Sequence, residues 1–153
     1  MTEREKQAEQ NFYAGHNCAQ SVLMAYADVL GMTREQAAMV SVGFGGGMGR
    51  LRLHCGAFSA AVMLAGVLEG AEGADKAHRP QTYARVQEIH RQFIERNGTI
   101  SCAELLGRAG VPENPTPEER TPEYYAKRPC VGVIRSACQL IDGMLAEKES
   151  ANA

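Results

Sequence analysis

The sequence contains no tryptophan, and its five tyrosines and four phenylalanines make up only 6% of 153 residues. So few aromatic residues argue against a surface of stacking platforms for single-stranded nucleic acid. An excess of basic residues is also missing, because 16 Lys and Arg stand against 18 Asp and Glu, for a formal net charge of −2. We therefore expect no binding to nucleic acid or to an anionic membrane surface.

Long hydrophobic runs are absent as well. The longest apolar stretch, residues 57–68, is interrupted by Ser59 and Gly66 and is shorter than the ~18 residues that a membrane-spanning helix needs. The first ten residues are strongly charged and lack the apolar segment of a secretory signal. We therefore expect no membrane association and a cytoplasmic location, where stable structural disulfides are rare.

Helical periodicity and helix-start signals run through most of the chain. A capping residue or a proline precedes most of the apolar repeats, as is typical of helix N-termini. Alternation typical of β-strands does not extend over any useful length. The pattern predicts helices over residues 3–14, 18–30, 34–42, 55–69, 80–97, 102–107 and 130–148.

These helices predict an all-α fold, a compact bundle of about five to seven helices. Residues 55–69 are apolar on almost every side, which is typical of a central buried helix. The apolar stripe of helix 80–97 includes Tyr83 and His90, and His90 is expected in the core. Residues 110–129 carry five of the six prolines and are expected to form one long loop. Residues 1–148 are expected to form a single domain, and residues 149–153 a frayed tail.

The five cysteines stand at positions 18, 55, 102, 130 and 138, and no two of them form a CxxC pair. This spacing argues against a thioredoxin-type motif, a zinc finger, a ferredoxin-type run and covalent haem attachment. Four of the five fall instead in the first turn of a predicted helix: Cys18, Cys55, Cys102 and Cys130. Unpaired backbone N–H groups and the helix dipole favour a thiolate there. The four cysteines therefore predict a shared reactive or metal site, and the simpler alternative is that they are core residues.

Cys138 differs from the other four. It lies eight residues after Cys130 on the same predicted helix, which places it about 12 Å further along the helix axis. A disulfide needs Cα atoms within about 7 Å of each other, and one metal ion cannot reach both thiolates. Cys138 also lies on the apolar stripe of its helix, so we expect it to be a small core residue.

Other candidate residues lie close to the cysteines in sequence. The glycine-rich loop Gly43 to Gly49 fits no phosphate-loop pattern and is expected to let the backbone pass close to a neighbouring helix, or to direct N–H groups toward sulfur ligands. His16 and His54 adjoin Cys18 and Cys55, and we expect surface or supporting roles for them rather than ligation. Four basic residues flank the cysteine segments and are expected to be solvated, with an offset of thiolate charge as the alternative: Arg50, Arg52, Lys127 and Arg128.

Four segments of the chain, in order, resemble the C_GCAxxG_C_C family, which is named for an inferred redox activity: FYAGHNCAQSVL, GFGGGMGRLRLHCGAFSA, CAELLG and PCVGVIRSA. The family's four cysteines correspond to Cys18, Cys55, Cys102 and Cys130, and Cys138 lies outside the pattern. One residue departs from the family motif, because the glycine of CGAxxG is Ala60 here. The added methyl group is a small change, and we expect the site to be retained.

The resemblance implies a redox function. It extends to a module of split-Soret-type cytochromes for which an iron–sulfur cluster is proposed, although the haem part does not carry over because no CxxCH is present. Our leading interpretation is electron transfer through a centre ligated by all four motif cysteines, either an iron–sulfur cluster or, as a second option, zinc. The alternatives are a metal-free thiol–disulfide oxidoreductase with Cys18 and Cys55 as its couple, and a non-catalytic helical binding module. The sequence leaves open the redox partner and whether the chain forms a homo-oligomer.

Overall fold

The computed structural model describes residues 1–70 and 74–152. This part of the chain is helical, with no β-strand beyond one isolated bridge, and the all-α prediction is confirmed. Short 3-10 turns lie at Val42–Phe44 and Lys76–His78. The helices are α1 (Glu3–Tyr13), α2 (Cys18–Ala25), α3 (Ala27–Leu30), α4 (Arg34–Ser41), α5 (Gly45–Met48), α6 (Gly56–Leu68), α7 (Arg79–Asn97), α8 (Cys102–Leu105), α9 (Pro122–Lys127) and α10 (Cys130–Ala151). The short α5 lies within the glycine-rich loop and is irregular, because Gly46 and Gly47 have left-handed backbone angles.

Helix α6 is the centre of the bundle, as its apolar sequence predicts. It packs against α2, α7 and α10, and alanines on its buried faces let these neighbours approach closely. Leu64 is fully buried between them. Within the described residues, no helix is both long enough and apolar enough to cross a membrane.

The predicted capping residues begin the helices that they were expected to begin. Asn17 and Thr33 each form a capping box, with Gln20 and Gln36 respectively. In both boxes the cap side chain accepts from a backbone N–H of the first turn, which satisfies a donor that would otherwise lack a partner. The Ser101 side chain caps α8 in the same way. These caps determine where Cys18 and Cys102 enter their helices.

One predicted helix is broken in the structure. The apolar periodicity predicts a single helix over residues 18–30, but the chain leaves helical geometry at Tyr26 and continues as the short helix α3. The Tyr26 ring is fully buried, and its hydroxyl lies 2.7 Å from an Asp142 carboxylate oxygen and 3.0 Å from the Cys138 carbonyl oxygen. These contacts with α10 hold Tyr26 in the core, and such long-range packing is not visible in local periodicity.

Two further predictions were wrong about segments after residue 79. The proline-rich region 110–129 contains helix α9, which begins with the Thr121 cap and with Pro122 in its first turn.

His90 is exposed rather than in the core, and Tyr83 on the same predicted stripe is also exposed. Helix α7 buries only Ile89 and Phe93. The face of α7 that packs against the core is therefore narrower than the apolar stripe in its sequence. The last helix continues three residues past its predicted end at Lys148, to Ala151.

Replacing Leu64 by alanine should lower the free energy of unfolding by about 2–5 kcal/mol, because the lost side chain leaves a cavity in the centre of the bundle. Val67→Ala on the same helix is the control, since Val67 is 37% exposed whereas Leu64 is 0% exposed. Val67→Ala should lower the free energy of unfolding by clearly less than Leu64→Ala does. Chemical denaturation of both variants measures the difference, and equal losses would contradict a central position for α6.

Candidate functional site

The four motif cysteines line one cavity of about 320 Å³. They reach it from separate elements, because Cys18, Cys102 and Cys130 are the first residues of α2, α8 and α10, and Cys55 caps α6. Cys138 is fully buried elsewhere along α10, and the lining does not include it. The structure therefore brings together the four cysteines that the sequence singled out, at the starts of four helices.

A short antiparallel contact joins two of the cysteine segments. Around the bridge between His54 and Ser101, the Cys55 N–H donates to the Ile100 carbonyl oxygen and the Cys102 N–H to the Leu53 carbonyl oxygen, both at 2.7 Å. Two backbone hydrogen bonds thus position Cys55 beside Cys102. This pairing is not visible in the sequence, because it links segments that are far apart in the chain and too short to show β-alternation.

Glycines make room for the cysteines where the backbone passes closest. A Cβ atom added at Gly47, whose φ is +67°, would lie 2.5 Å from the Cys102 Cβ. At Gly56 an added Cβ would lie 2.8 Å from the Cys18 sulfur. Both distances are shorter than real Cβ contacts, so only glycine fits at either position. The glycine-rich loop thus allows the close backbone approach that was expected of it.

Cys18 and Cys55 shift each other's pKa in opposite directions. A hydrogen bond from the Cys55 thiol lowers the pKa of Cys18 to about 6, against the opposing effect of burial and with help from the N–H groups of Gly56 and Ala19. The same contact, together with burial, raises the pKa of Cys55 well above its usual range. The pair therefore favours a thiolate at Cys18 and a thiol at Cys55.

The remaining two shifted thiols are both less acidic than usual. Burial raises the pKa of Cys130 to about 12, and the negative charge of Cys18 adds to the shift. Burial likewise raises the pKa of Cys138 to about 12. Of the three shifted cavity thiols, Cys18 is thus the one held as a thiolate near neutral pH.

Arginines and glutamates connect the cavity wall to the proline-rich segment. Glu113 pairs with Arg50 at 2.6 Å, with Arg52 at 2.8 Å and also with Arg108. Arg52 first, and then Arg108, lower the pKa of Glu113 to about 2 against the opposing effect of burial. Glu118 pairs with Arg108 and, at 2.7 Å, with Arg128. The ion pairs hold residues 113–118 against the cysteine segments.

The expectation that the basic residues near the cysteines are solvated was wrong for Arg52. It is 4% exposed, and its Nη1 atom lies 3.5 Å from the Cys102 sulfur. Arg50 and Arg128 are partly buried and line the cavity, and Lys127 is exposed. Arg52 is buried because Glu113, on a distant loop, compensates its charge, and no local sequence signal shows that pairing.

Arg120 closes another side of the cavity. Its guanidinium lies over the rings of Phe12 and Tyr124, at 4.7 and 4.8 Å from their centroids. It also donates to the carbonyl oxygens of Phe12 and His16, at 3.2 and 3.0 Å. These contacts tie the end of the proline-rich segment to the turn before α2. Sequence analysis did not identify Arg120.

Neither predicted histidine belongs to the cavity lining. His54 is exposed and packs edge-on against Phe58, with ring centroids 6.2 Å apart. His16 is partly buried and contributes its carbonyl oxygen to Arg120. Both histidines thus lie outside the cavity lining. Among residues 1–70 and 74–152, no three His, Cys, Asp or Glu side chains come close enough together to bind a single metal ion.

The chain is similar to one curated protein and matches one family model. The chain is 25% identical over 142 residues to an uncharacterized protein of Archaeoglobus fulgidus, covering 88% of this chain and 87% of that protein. No solved structure matches. The family model described as "Putative redox-active protein (C_GCAxxG_C_C)" matches residues 16–144, a span that includes all four cavity cysteines and the arginines around them. On this match, the chain belongs to the C_GCAxxG_C_C family.

Proposed function

We propose that the chain is an electron-transfer protein that binds an iron–sulfur cluster through Cys18, Cys55, Cys102 and Cys130. The observation that carries the proposal is the convergence of these four cysteines on one cavity. Four cysteine thiolates are the ligand set of both [2Fe–2S] and [4Fe–4S] clusters. When bound, such a cluster supplies one-electron transfer, at a potential set by its ligands, its surroundings and its exposure to water.

The charges around the cavity fit an anionic centre. Among the described residues, the cavity lining contains one glutamate, Glu118, and four arginines: Arg50, Arg52, Arg120 and Arg128. Four thiolates carry four negative charges. These outweigh the net positive charge of the iron and sulfide ions of a cluster, so the whole centre is negative. An excess of cations stabilises thiolates and any net negative charge on the centre. The four thiolate ligands and the positive charge of the cavity wall are therefore compatible with an iron–sulfur cluster.

A single zinc ion and a cluster require different distances between the four sulfur atoms. Around one tetrahedral zinc, with Zn–S bonds of 2.3 Å, the sulfur atoms stand ~3.8 Å apart. A cluster distributes its cysteine ligands over two or more irons, so its four sulfurs stand further apart. In the described part of the chain, the cysteines share a cavity without three side chains approaching as closely as one ion requires. Zinc fits this arrangement less well.

Replacing any one of Cys18, Cys55, Cys102 and Cys130 by serine should reduce the bound iron and sulfide, because each change removes a thiolate ligand. Cys138→Ser is the matched control, and it should keep the full iron content because Cys138 is not part of the lining. Iron, sulfide and visible absorption are measured on anaerobically purified and reconstituted proteins. Iron retained at the wild-type level in all four variants would overturn the cluster proposal.

A second candidate function is thiol–disulfide exchange by Cys18 and Cys55, which their hydrogen bond and the lowered pKa of Cys18 favour. The Cys18 thiolate would attack a disulfide substrate, forming a mixed disulfide and releasing one substrate thiolate. Cys55 would then lose its proton and attack the Cys18 sulfur, releasing the second substrate thiolate. The protein would gain one disulfide, and the substrate would be reduced to two thiols.

In metal-free protein, Cys18 should be the fastest of the three shifted cavity thiols to react with an alkylating reagent at pH 7. Its pKa of about 6 leaves it mostly as thiolate, so its rate should fall as the pH decreases through 6. Cys130 and Cys138, with pKa values of about 12, should react slowly. Mass spectrometry of each cysteine as a function of pH measures these rates.

Cys55→Ala is the control for this pattern, because it removes the hydrogen bond that stabilises the Cys18 thiolate. The variant should shift the rate profile of Cys18 to higher pH. Cys138 reacting first, or all five cysteines reacting alike near the ordinary thiol pKa of about 8.5, would contradict the activation of Cys18. The chain would then be better described as a helical binding module with cysteines in its core.

A further inference from the structure

Arg52 is a buried cation beside one of the four cavity sulfurs. It is 4% exposed, and its Nη1 donates to the Cys102 sulfur at 3.5 Å while its Nη2 donates to Glu113 at 2.8 Å. Its Nε is also buried and has no hydrogen-bond partner within the described residues. Burying a guanidinium away from water costs free energy. This cost indicates that Arg52 has a role beyond holding the loop in place.

The backbone that carries Arg52 is held in an unfavourable conformation. Arg52 has a φ of +58°, in the left-handed region that residues with a Cβ atom rarely adopt, and Met48 and Arg50 are left-handed as well. Two backbone hydrogen bonds maintain this segment, from Arg52 N–H to Gly46 O at 3.1 Å and from Leu53 N–H to Gly47 O at 2.8 Å. Strained backbone of this kind is concentrated at functional sites.

The glycines of the loop bring Arg52 and Cys102 together. An added Cβ at Gly47 would lie 2.8 Å from the Arg52 Cα and 2.5 Å from the Cys102 Cβ, so a side chain there would force the two residues apart. At Gly46 an added Cβ would come within 2.9 Å of the Arg50 side chain and 3.9 Å of the Arg52 Nη1. The loop is thus shaped around the contact between the guanidinium and the sulfur.

We propose that Arg52 is the positioning residue that sets the reduction potential of the four-cysteine centre, through its hydrogen bond and positive charge at the Cys102 sulfur. The inference rests on the proposed function. Reduction adds an electron and makes the centre more negative, so a nearby cation stabilises the reduced state more than the oxidised state. Hydrogen bonds to the sulfur ligands of a cluster also tune its potential. Arg52 therefore raises the potential, and Glu113 partly offsets its charge.

The test compares the midpoint potentials of two variants that break the same ion pair from opposite sides. Arg52→Gln removes the cation and should lower the potential. Glu113→Gln leaves the cation without its main carboxylate partner and should raise the potential. A purely structural role for the pair would move both potentials in the same direction. Anaerobic redox titration followed by visible absorption gives the potentials, with iron content measured on each sample.

Arg108→Gln is the matched control. Arg108 pairs with Glu113 and Glu118 but does not line the cavity, so its removal should change the potential less than Arg52→Gln does. Shifts of the same sign in Arg52→Gln and Glu113→Gln, no shift in Arg52→Gln, or an equal shift in Arg108→Gln would overturn the inference. If Arg52→Gln does not fold, the sign of the shift in Glu113→Gln decides the question. A wild-type protein that binds no iron would overturn the proposed function and the inference together.

Discussion

The site depends on two backbone hydrogen bonds, one on each side of the contact between His54 and Ser101. They join the start of α6, the central helix, to the start of α8, and thereby fix Cys55 relative to Cys102. Each bond alone stabilises the fold only modestly. Their importance is geometric. Gly47 passes close to Cys102 and Gly56 passes close to Cys18, and these close approaches require the segments to keep fixed positions relative to each other.

Charge pairing controls the other half of the cavity. The proline-rich segment has few buried residues of its own, and Glu113 and Glu118 connect it to arginines on the cysteine segments. Because the pKa of Glu113 is lowered to about 2, its ion pairs stabilise the protein above the ordinary pKa of a glutamate. That stabilisation is lost as the pH falls from the ordinary value through 2. These ion pairs therefore hold this part of the cavity wall in place at neutral pH, although a loop forms it.

Much of the fold could be predicted because its signals are local. The caps at Asn17, Thr33 and Ser101 and the apolar character of α6 lie within single segments, and they also place the cysteines at helix starts. The break at Tyr26 and the burial of Arg52 could not be predicted in this way, since each depends on a partner more than fifty positions away. The sequence thus indicated which cysteines share a site, but not which charged residues contact them.

The four cavity cysteines come from four elements that span most of the chain, from the first turn of α2 to the first turn of α10. The site is therefore completed only when α10 docks against α1, α6 and α7. Any group that occupies the cavity would bind to this assembled bundle, and its binding free energy would add to the stability of the fold.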